Sequence, residues 1–175
     1  MTPLIKFEEI EFQTRILAKR IADEHCDDTT PVVMVCLLNG GFMFFSELVK
    51  SIDIAIECEF MRVKSYVKRK QGDIKITKDL ETPIKGKHVY IVDDIYDTGN
   101  TAKAVQNFLQ IKNPRTLSLV TLLKRKRSPK STIKHLNAFI IEDEWVVGFG
   151  LDDGEGYCRN LPSVFDSVLY QKELT

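Results

Sequence analysis

The 175-residue chain has four cysteines but no CxxC pair, nine glycines but no GxGxxG fingerprint, one tryptophan, and no excess of charge of either sign. Each absence closes off a class. Without paired cysteines there is no zinc-ribbon or dithiol motif, and the thiols are expected to stay reduced in a cytoplasmic protein. Without the glycine fingerprint, dinucleotide binding loses its main support. Lysine plus arginine and aspartate plus glutamate stand at 25 each, so no overall basic field points to nucleic acid. The longest apolar runs, such as Val32 to Leu38, fall well short of the roughly 20 residues a membrane helix needs, and Lys6, Glu8 and Glu9 break up any apolar leader. No membrane partner is expected. A chain of this length builds one well-buried core, and residues 1–175 are expected to form a single domain.

Apolar periodicity divides the chain into alternating elements. Ile10, Leu17 and Ile21 recur at helical spacing between Phe7 and Cys26, and Asp27 to Pro31 end that helix. Val32 to Leu38 reads as a strand buried on both faces, followed by Asn39, Gly40 and Gly41 and a helix from Phe42 to Lys50. Ile54, Ile56, Cys58 and Phe60 alternate at the start of a long, half-exposed strand that continues to Ser65 and Tyr66. Cys36 and Cys58 both lie in runs that read as buried. Val67 to Glu81 is polar, with Ile74 and Ile76 its only paired apolar residues, and reads as a loop rather than an edge hairpin. Thr101 to Gln110 is helical, and Thr116 to Leu123, Ala138 to Ile141 and Trp145 to Gly148 are strands. The alternation points to an α/β fold with a mostly parallel sheet.

The stretch VYIVDDIYDTGNTA, Val89 to Ala102, carries the most chemistry. A buried parallel strand at Val89 to Val92 puts Asp93 and Asp94 at its carboxyl end, where α/β sheets bind their ligands. Thr98, Gly99, Asn100 and Thr101 then offer backbone N–H groups and hydroxyls at a helix start, a natural anion site, and Gly99 can take the positive φ of such a turn. Three carboxylates beside a phosphate suit sugar hydroxyls, a metal ion or a proton, so the motif reads as a sugar-phosphate site. Asp97 is open to two readings, helix N-cap or acid–base group. The adjacent acids lack the one-residue spacing of haloacid-dehalogenase-type phosphatases. Of the basic run Lys124 to Arg127, Lys124 follows a strand directly and would reach the ligand edge, whereas the rest reads as a solvated face. His25, His88 and His135 show no metal-ligand spacing and are expected to serve packing or the surface. Cys158 beside Arg159 reads as an ordinary cysteine, and Trp145 alone reads as core rather than binding surface.

Val89 to Thr101 resembles the phosphoribosyl pyrophosphate motif of type I phosphoribosyltransferases, and further segments narrow the resemblance to the hypoxanthine-guanine phosphoribosyltransferases. LNGG at Leu38 to Gly41 is similar to that family's pyrophosphate loop, and MRVKSY at Met61 to Tyr66 to its hood-loop entry. LLKRKRSP at Leu122 to Pro129 is similar to its purine-contact strand, and EWVVGFGLDDGEGYCRNLP at Glu144 to Pro162 to its stacking and metal-binding end. The resemblance implies a type I phosphoribosyltransferase fold, with a twisted sheet flanked by helices, a small hood formed by the terminal segments and a mobile lid over about 67–81. It implies transfer of the 5-phosphoribosyl group from phosphoribosyl pyrophosphate to N9 of hypoxanthine or guanine. The products would be IMP or GMP and pyrophosphate, with Mg2+ as cofactor and a homodimer or homotetramer as the assembly.

Carried over by position, the resemblance makes Asp93 and Asp94 ribose and magnesium contacts, Asp97 the base facing purine N7, and Asp97 to Thr101 the cradle of the 5-phosphate. Leu38, Asn39, Gly40, Gly41 and Arg159 would meet pyrophosphate, with a cis peptide between Leu38 and Asn39. Asp152 would help hold a second magnesium. Lys124 would donate to purine O6, Trp145 would stack on the ring, and Val146 and Asp152 would read its edge through their backbones. Ser65 and Tyr66 would close over the reaction. The chain departs from the family in four places. Asp93 stands where glutamate is commoner, Trp145 where phenylalanine or tyrosine is, and Val67 where glycine is. The segment from Asp152 to Arg159 is one residue longer. A phosphoribosyl pyrophosphate-sensing regulator that binds nucleic acid through Lys124 to Lys134, and a transferase for xanthine, are the competing readings. Asp97, Lys124, Asp152 and Arg159 together favour an enzyme.

Overall fold

The computed structural model of the chain describes residues 2–65 and 74–174. Val32 to Leu38 forms β1 and His88 to Tyr96 forms β4, and nearly every residue of the two apolar runs is buried. Both are interior strands, which is why their runs do not alternate. They pair with each other in parallel, β1 also pairs with β2 (Ile56–Ser65), and β4 pairs with β5 (Thr116–Arg125). With β3 (Ile74–Lys78) and β6 (Lys134–Ile141) at the edges, the six-stranded order is β3-β2-β1-β4-β5-β6. Only β3 runs antiparallel. The chain therefore turns one way from β1 through α2 (Phe42–Ser51) to β2, and the other way from β4 through α3 (Asn100–Gln110) to β5. The carboxyl ends of β1 and β4 flank the switch point, where such sheets open a crevice.

Two apolar layers cover the sheet. α1 (Phe7–His25) and α2 pack Ile10, Leu17, Ile21, Phe44 and Leu48 against Met34, Val92 and Leu122 on one face. Val105 and Leu109 of α3 meet Val33, Val35, Ile91 and Leu119 on the other. A short antiparallel pair, β7 (Val146–Val147) and β8 (Phe165–Asp166), leads into α4 (Ser167–Leu174). The amino-terminal segment joins this unit through a bridge between Ile5 and Val164.

Two expectations change, and one falls outside the described residues. Residues 74–78 form an edge strand against β2, where a loop had been expected. Its side chains alternate around Ile74 and Ile76, and backbone pairing compensates for the polar Lys75 and Thr77. Residues 66–73 of the expected lid, Tyr66 among them, lie outside the described residues. In β2 the buried members are Glu59 and Met61, whereas Cys58 and Phe60 are exposed. Glu59 is tolerated inside because it accepts hydrogen bonds from Glu81 N (3.1 Å), Thr82 N (3.0 Å) and Thr82 Oγ1 (2.6 Å). That acceptor set outweighs the opposing effect of burial and holds its carboxyl below the usual range.

Glu59→Ala strands those donors and is expected to cost about 1–3 kcal/mol in urea-induced unfolding. An unchanged midpoint and slope would show that Glu59 does not anchor the return segment.

Candidate active site

The strand register brings the two ligand turns together. Val92 of β4 lies opposite Cys36 of β1 and Val120 of β5, so Asp93 and Asp94 emerge beside the last residues of β1. Just beyond, the Leu38–Asn39 peptide is cis, as the resemblance implied. Gly41 N donates to Leu37 O at 3.0 Å, and Gly41 forms the N-cap of α2. A Cβ on Gly40 would fall onto the carboxylate of Asp94, so only glycine lets the turn come this close to the acid. The acids brace each other through the backbone: Asp94 N donates to Asp93 Oδ1 at 3.0 Å, and Ile95 N to Asp94 Oδ1 at 2.7 Å.

Past β4, Gly99 takes φ 78° and forms the N-cap of α3, as its permissive backbone suggested. The N-cap residue has no side chain to cap this helix; Asn100 N makes one long bond to Thr98 Oγ1 (3.4 Å), and the next N–H groups of the first turn are left for an anion. Asp97 is thus not the cap. Its carboxylate meets Arg125 Nε and Arg127 Nη2, each at 3.2 Å. Here the reading of Lys124 to Arg127 as solvated beyond Lys124 is corrected. Arg125 is only 5% exposed, and its Nη1 donates to the carbonyls of Glu142 (3.0 Å) and Glu144 (2.9 Å). A guanidinium can be buried here because two carbonyls accept from Nη1 and the Asp97 carboxylate lies beside Nε as a counter-charge, without a hydrogen bond to it. Nothing local in the sequence marks it, since the carbonyls lie on a segment 17 and 19 residues away. Arg127 and Lys126 instead face outward, paired with Asp143 and Glu142.

The turns enclose a cavity of about 300 Å³. Leu38, Asn39 and Gly40 line one side, Asp97, Thr98, Gly99 and Thr101 another, and Asp93, Asp94, Asp152 and Arg159 also contribute. Arg159 donates to Gly150 O at 2.6 Å and pairs with Asp152 at 2.8 Å. Gly41 and Asn100 sit in the same turns without lining the cavity. The remaining sites flank it. Lys124 lies near the end of β5, opposite Tyr96, one of the lining residues. Burial, with Lys124 nearby, pushes His135 down to about 4. Val146 is buried in β7, while Trp145 just before it is 59% exposed, so the single tryptophan is surface and not core. Ser65 ends β2 at the edge of the described segment.

Electrostatics single out the acidic pair. Burial raises the carboxyl of Asp93 well above its ordinary range, and the neighbouring charge of Asp94 adds to this. Burial raises Asp94 as well, against the Ile95 N–H and Arg159, which pull it down. Two crowded carboxylates that form no salt bridge among the described residues suit a hard divalent ion bound through oxygen.

The phosphoribosyl transferase domain family matches residues 6–154. A hypoxanthine-guanine phosphoribosyltransferase of Aquifex aeolicus is 41% identical over 165 residues, covering 93% of this chain and 92% of that protein. The chain belongs to the hypoxanthine-guanine phosphoribosyltransferase family. A hypoxanthine phosphoribosyltransferase of Escherichia coli is 36% identical over 94% of this chain and 95% of its own. Among solved structures, a hypoxanthine phosphoribosyltransferase of Staphylococcus aureus superposes with a TM-score of 0.86 at 34% identity, covering 95% and 90% of the two chains. The Trypanosoma cruzi enzyme in complex with the product IMP gives 0.84 at 30% identity, covering 94% and 92%. The type I phosphoribosyltransferase fold read from the motifs is therefore the fold of this phosphoribosyltransferase.

A carboxyl whose pKa rises on folding destabilises the native state above its ordinary value, and the cost disappears as falling pH protonates it. Asp93→Asn keeps the oxygen that accepts Asp94 N–H and removes the charge. With divalent ions chelated at neutral pH, Tm is expected to rise by about 2–4 °C for each kcal/mol relieved. A lower Tm would mean that the carboxylate is stabilising as it stands.

Proposed function

We propose that the protein is a purine-salvage enzyme. It joins N9 of hypoxanthine or guanine to the anomeric carbon of phosphoribosyl pyrophosphate, releasing pyrophosphate and giving IMP or GMP. The observation that carries this reading is one cavity in which two anion-binding turns face each other across a pair of carboxylates. Its relatives are named as hypoxanthine and hypoxanthine-guanine phosphoribosyltransferases.

The bond to pyrophosphate breaks as the bond to N9 forms, and positive charge grows on the ribose ring between them. Asp93 and Asp94 oppose that charge and hold the ribose hydroxyls, while the Leu38 to Gly41 turn and Arg159 take the leaving pyrophosphate. Thr98 to Thr101 hold the 5-phosphate on the N-terminus of α3. Asp97 takes the proton shed at N7, a step worth about 10²–10⁴-fold. Lys124 donates to O6, a donor that adenine's 6-amino group cannot accept, and Trp145 covers one face of the ring. The backbones of Val146 and Asp152 read the purine edge.

Mg2+ fits the all-oxygen set of Asp93, Asp94 and Asp152, where it would neutralise the pyrophosphate charge. Ser65 and Tyr66 would close over the bound substrates and keep water out. All four cysteines are free, which fits a cytoplasmic setting, and no helix among the described residues is long and apolar enough to cross a membrane. Phe12 and Ile16 on the outer face of α1 are exposed, which fits a homodimer or homotetramer.

With phosphoribosyl pyrophosphate and Mg2+, steady-state pyrophosphate release is expected with hypoxanthine and guanine and not with adenine. Turnover with none of hypoxanthine, guanine or xanthine, while phosphoribosyl pyrophosphate still binds, would reject the enzyme reading. Asp97→Asn is expected to lower kcat by about 10²-fold or more, with little change in binding of phosphoribosyl pyrophosphate. A kcat within a few-fold of the parent would remove Asp97 as the base.

A further inference from the structure

At the amino ends of the strands, opposite the cavity, His25 closes α1, Asp28 lies in the turn into β1, and His88 opens β4. Their ligand atoms lie within 4.8 Å of one another. Sequence spacing hid the cluster, because His88 is brought to this turn by sheet pairing: its N–H donates to Pro31 O at 2.9 Å.

We propose that His25, Asp28 and His88 form a binding site for zinc or a similar divalent transition metal, separate from the catalytic site and independent of the reaction assigned to it.

The arrangement has the parts such a site needs. His88 Nε2 and Asp28 Oδ2 stand 3.0 Å apart. Bonds of about 2.0–2.2 Å put two donors of a tetrahedral zinc roughly 3.3 Å apart, so the ion fits between them with little movement. The buried Nδ1 of His25 has no hydrogen-bond partner. A buried imidazole nitrogen without a partner is costly, and coordination would satisfy it.

The groups behind the ligands are also in place. Thr116 Oγ1 meets His88 Nδ1 at 2.7 Å and Tyr90 Oη meets His25 Nε2 at 2.7 Å, fixing which nitrogen of each ring is left to bind. Thr30 N donates to Asp28 Oδ1 at 2.8 Å, leaving Oδ2 as the ligand. His25 and Asp28 border a second cavity of about 510 Å³, so a fourth position is open to water. Two imidazoles and one carboxylate select a borderline transition ion over magnesium. Bound there, the ion would tie the end of α1 to the entry of the central strands.

The test uses the full chain, stripped of metal and kept in excess Mg2+ so that all-oxygen sites are filled. Titration calorimetry with Zn2+ is expected to show one equivalent bound, Tm to rise with zinc, and Co2+ to give the visible bands of a tetrahedral site. Asp28→Asn keeps the oxygen that holds Thr30 N–H, and it and His25→Gln are each expected to weaken zinc by more than about tenfold. Cys26→Ser and Asp93→Asn are expected to retain the equivalent. Failure of the parent chain to bind one zinc, loss of the equivalent in Cys26→Ser or Asp93→Asn, or parental affinity in Asp28→Asn would each overturn the proposal. These readouts involve no turnover, so their failure leaves the transferase assignment untouched.

Discussion

Two adjacent carboxylates in the carboxyl-terminal half of a central strand set the terms for the rest of the molecule. Asp93 and Asp94 are forced to the sheet's carboxyl edge by the apolar run before them and held together by Asp94 N–H on Asp93 Oδ1. Burial raises both, so the fold keeps a repulsion that it would be more stable without. The neighbouring turns are shaped around that charge. Gly40 gives up its side chain to make room for Asp94, and Arg159 approaches from the far segment. Local instability concentrated where ligands act is the usual trade between stability and function.

Asp97 rests on a different kind of support. The ion pair to the buried Arg125 fixes it from behind, while the open start of α3 stays free for an anion. The base proposed at Asp97 would need positioning before its pKa mattered, and a guanidinium anchored on two carbonyls is a stiff point of attachment. In β5 consecutive residues thereby divide the work: Lys124 lies at the ligand edge, and Arg125 turns inward to the acid.

Elements whose residues are buried or exposed as a block were legible in the sequence. α1, β1, α2 and α3 match their expected bounds within a residue or two, whereas β4 runs four residues past the apolar run Val89 to Val92, through both acids to Tyr96. The acidic motif and both glycine turns were legible as well, because strand end, turn and helix start follow one another in the chain. Features that depend on distant partners were hidden. β3 is polar and forms by pairing with β2, Glu59 is inside because the chain returns at Glu81 and Thr82, and Arg125 is inside because carbonyls of a later segment wait for it. Trp145 misled in the opposite direction, since its exposure follows from the short β7–β8 pair and not from its own polarity. His25 and His88 are 63 positions apart in sequence, yet their rings meet at a tilt of 45° with centroids 4.4 Å apart.

Arg125 links the two segments proposed to hold the two substrates. The same guanidinium holds the carbonyl that precedes Trp145 and the carboxylate that precedes the phosphate turn. Anything that shifts one of these segments changes the energy of the other through a shared cation. Coupling of this kind is reciprocal: under the proposed roles, a purine that drew in the Trp145 segment would favour phosphate at Thr98 to Thr101 by the same factor that phosphate would favour the purine. Synergy between the two ligands would then need no large conformational change, only a rigid link that neither ligand touches.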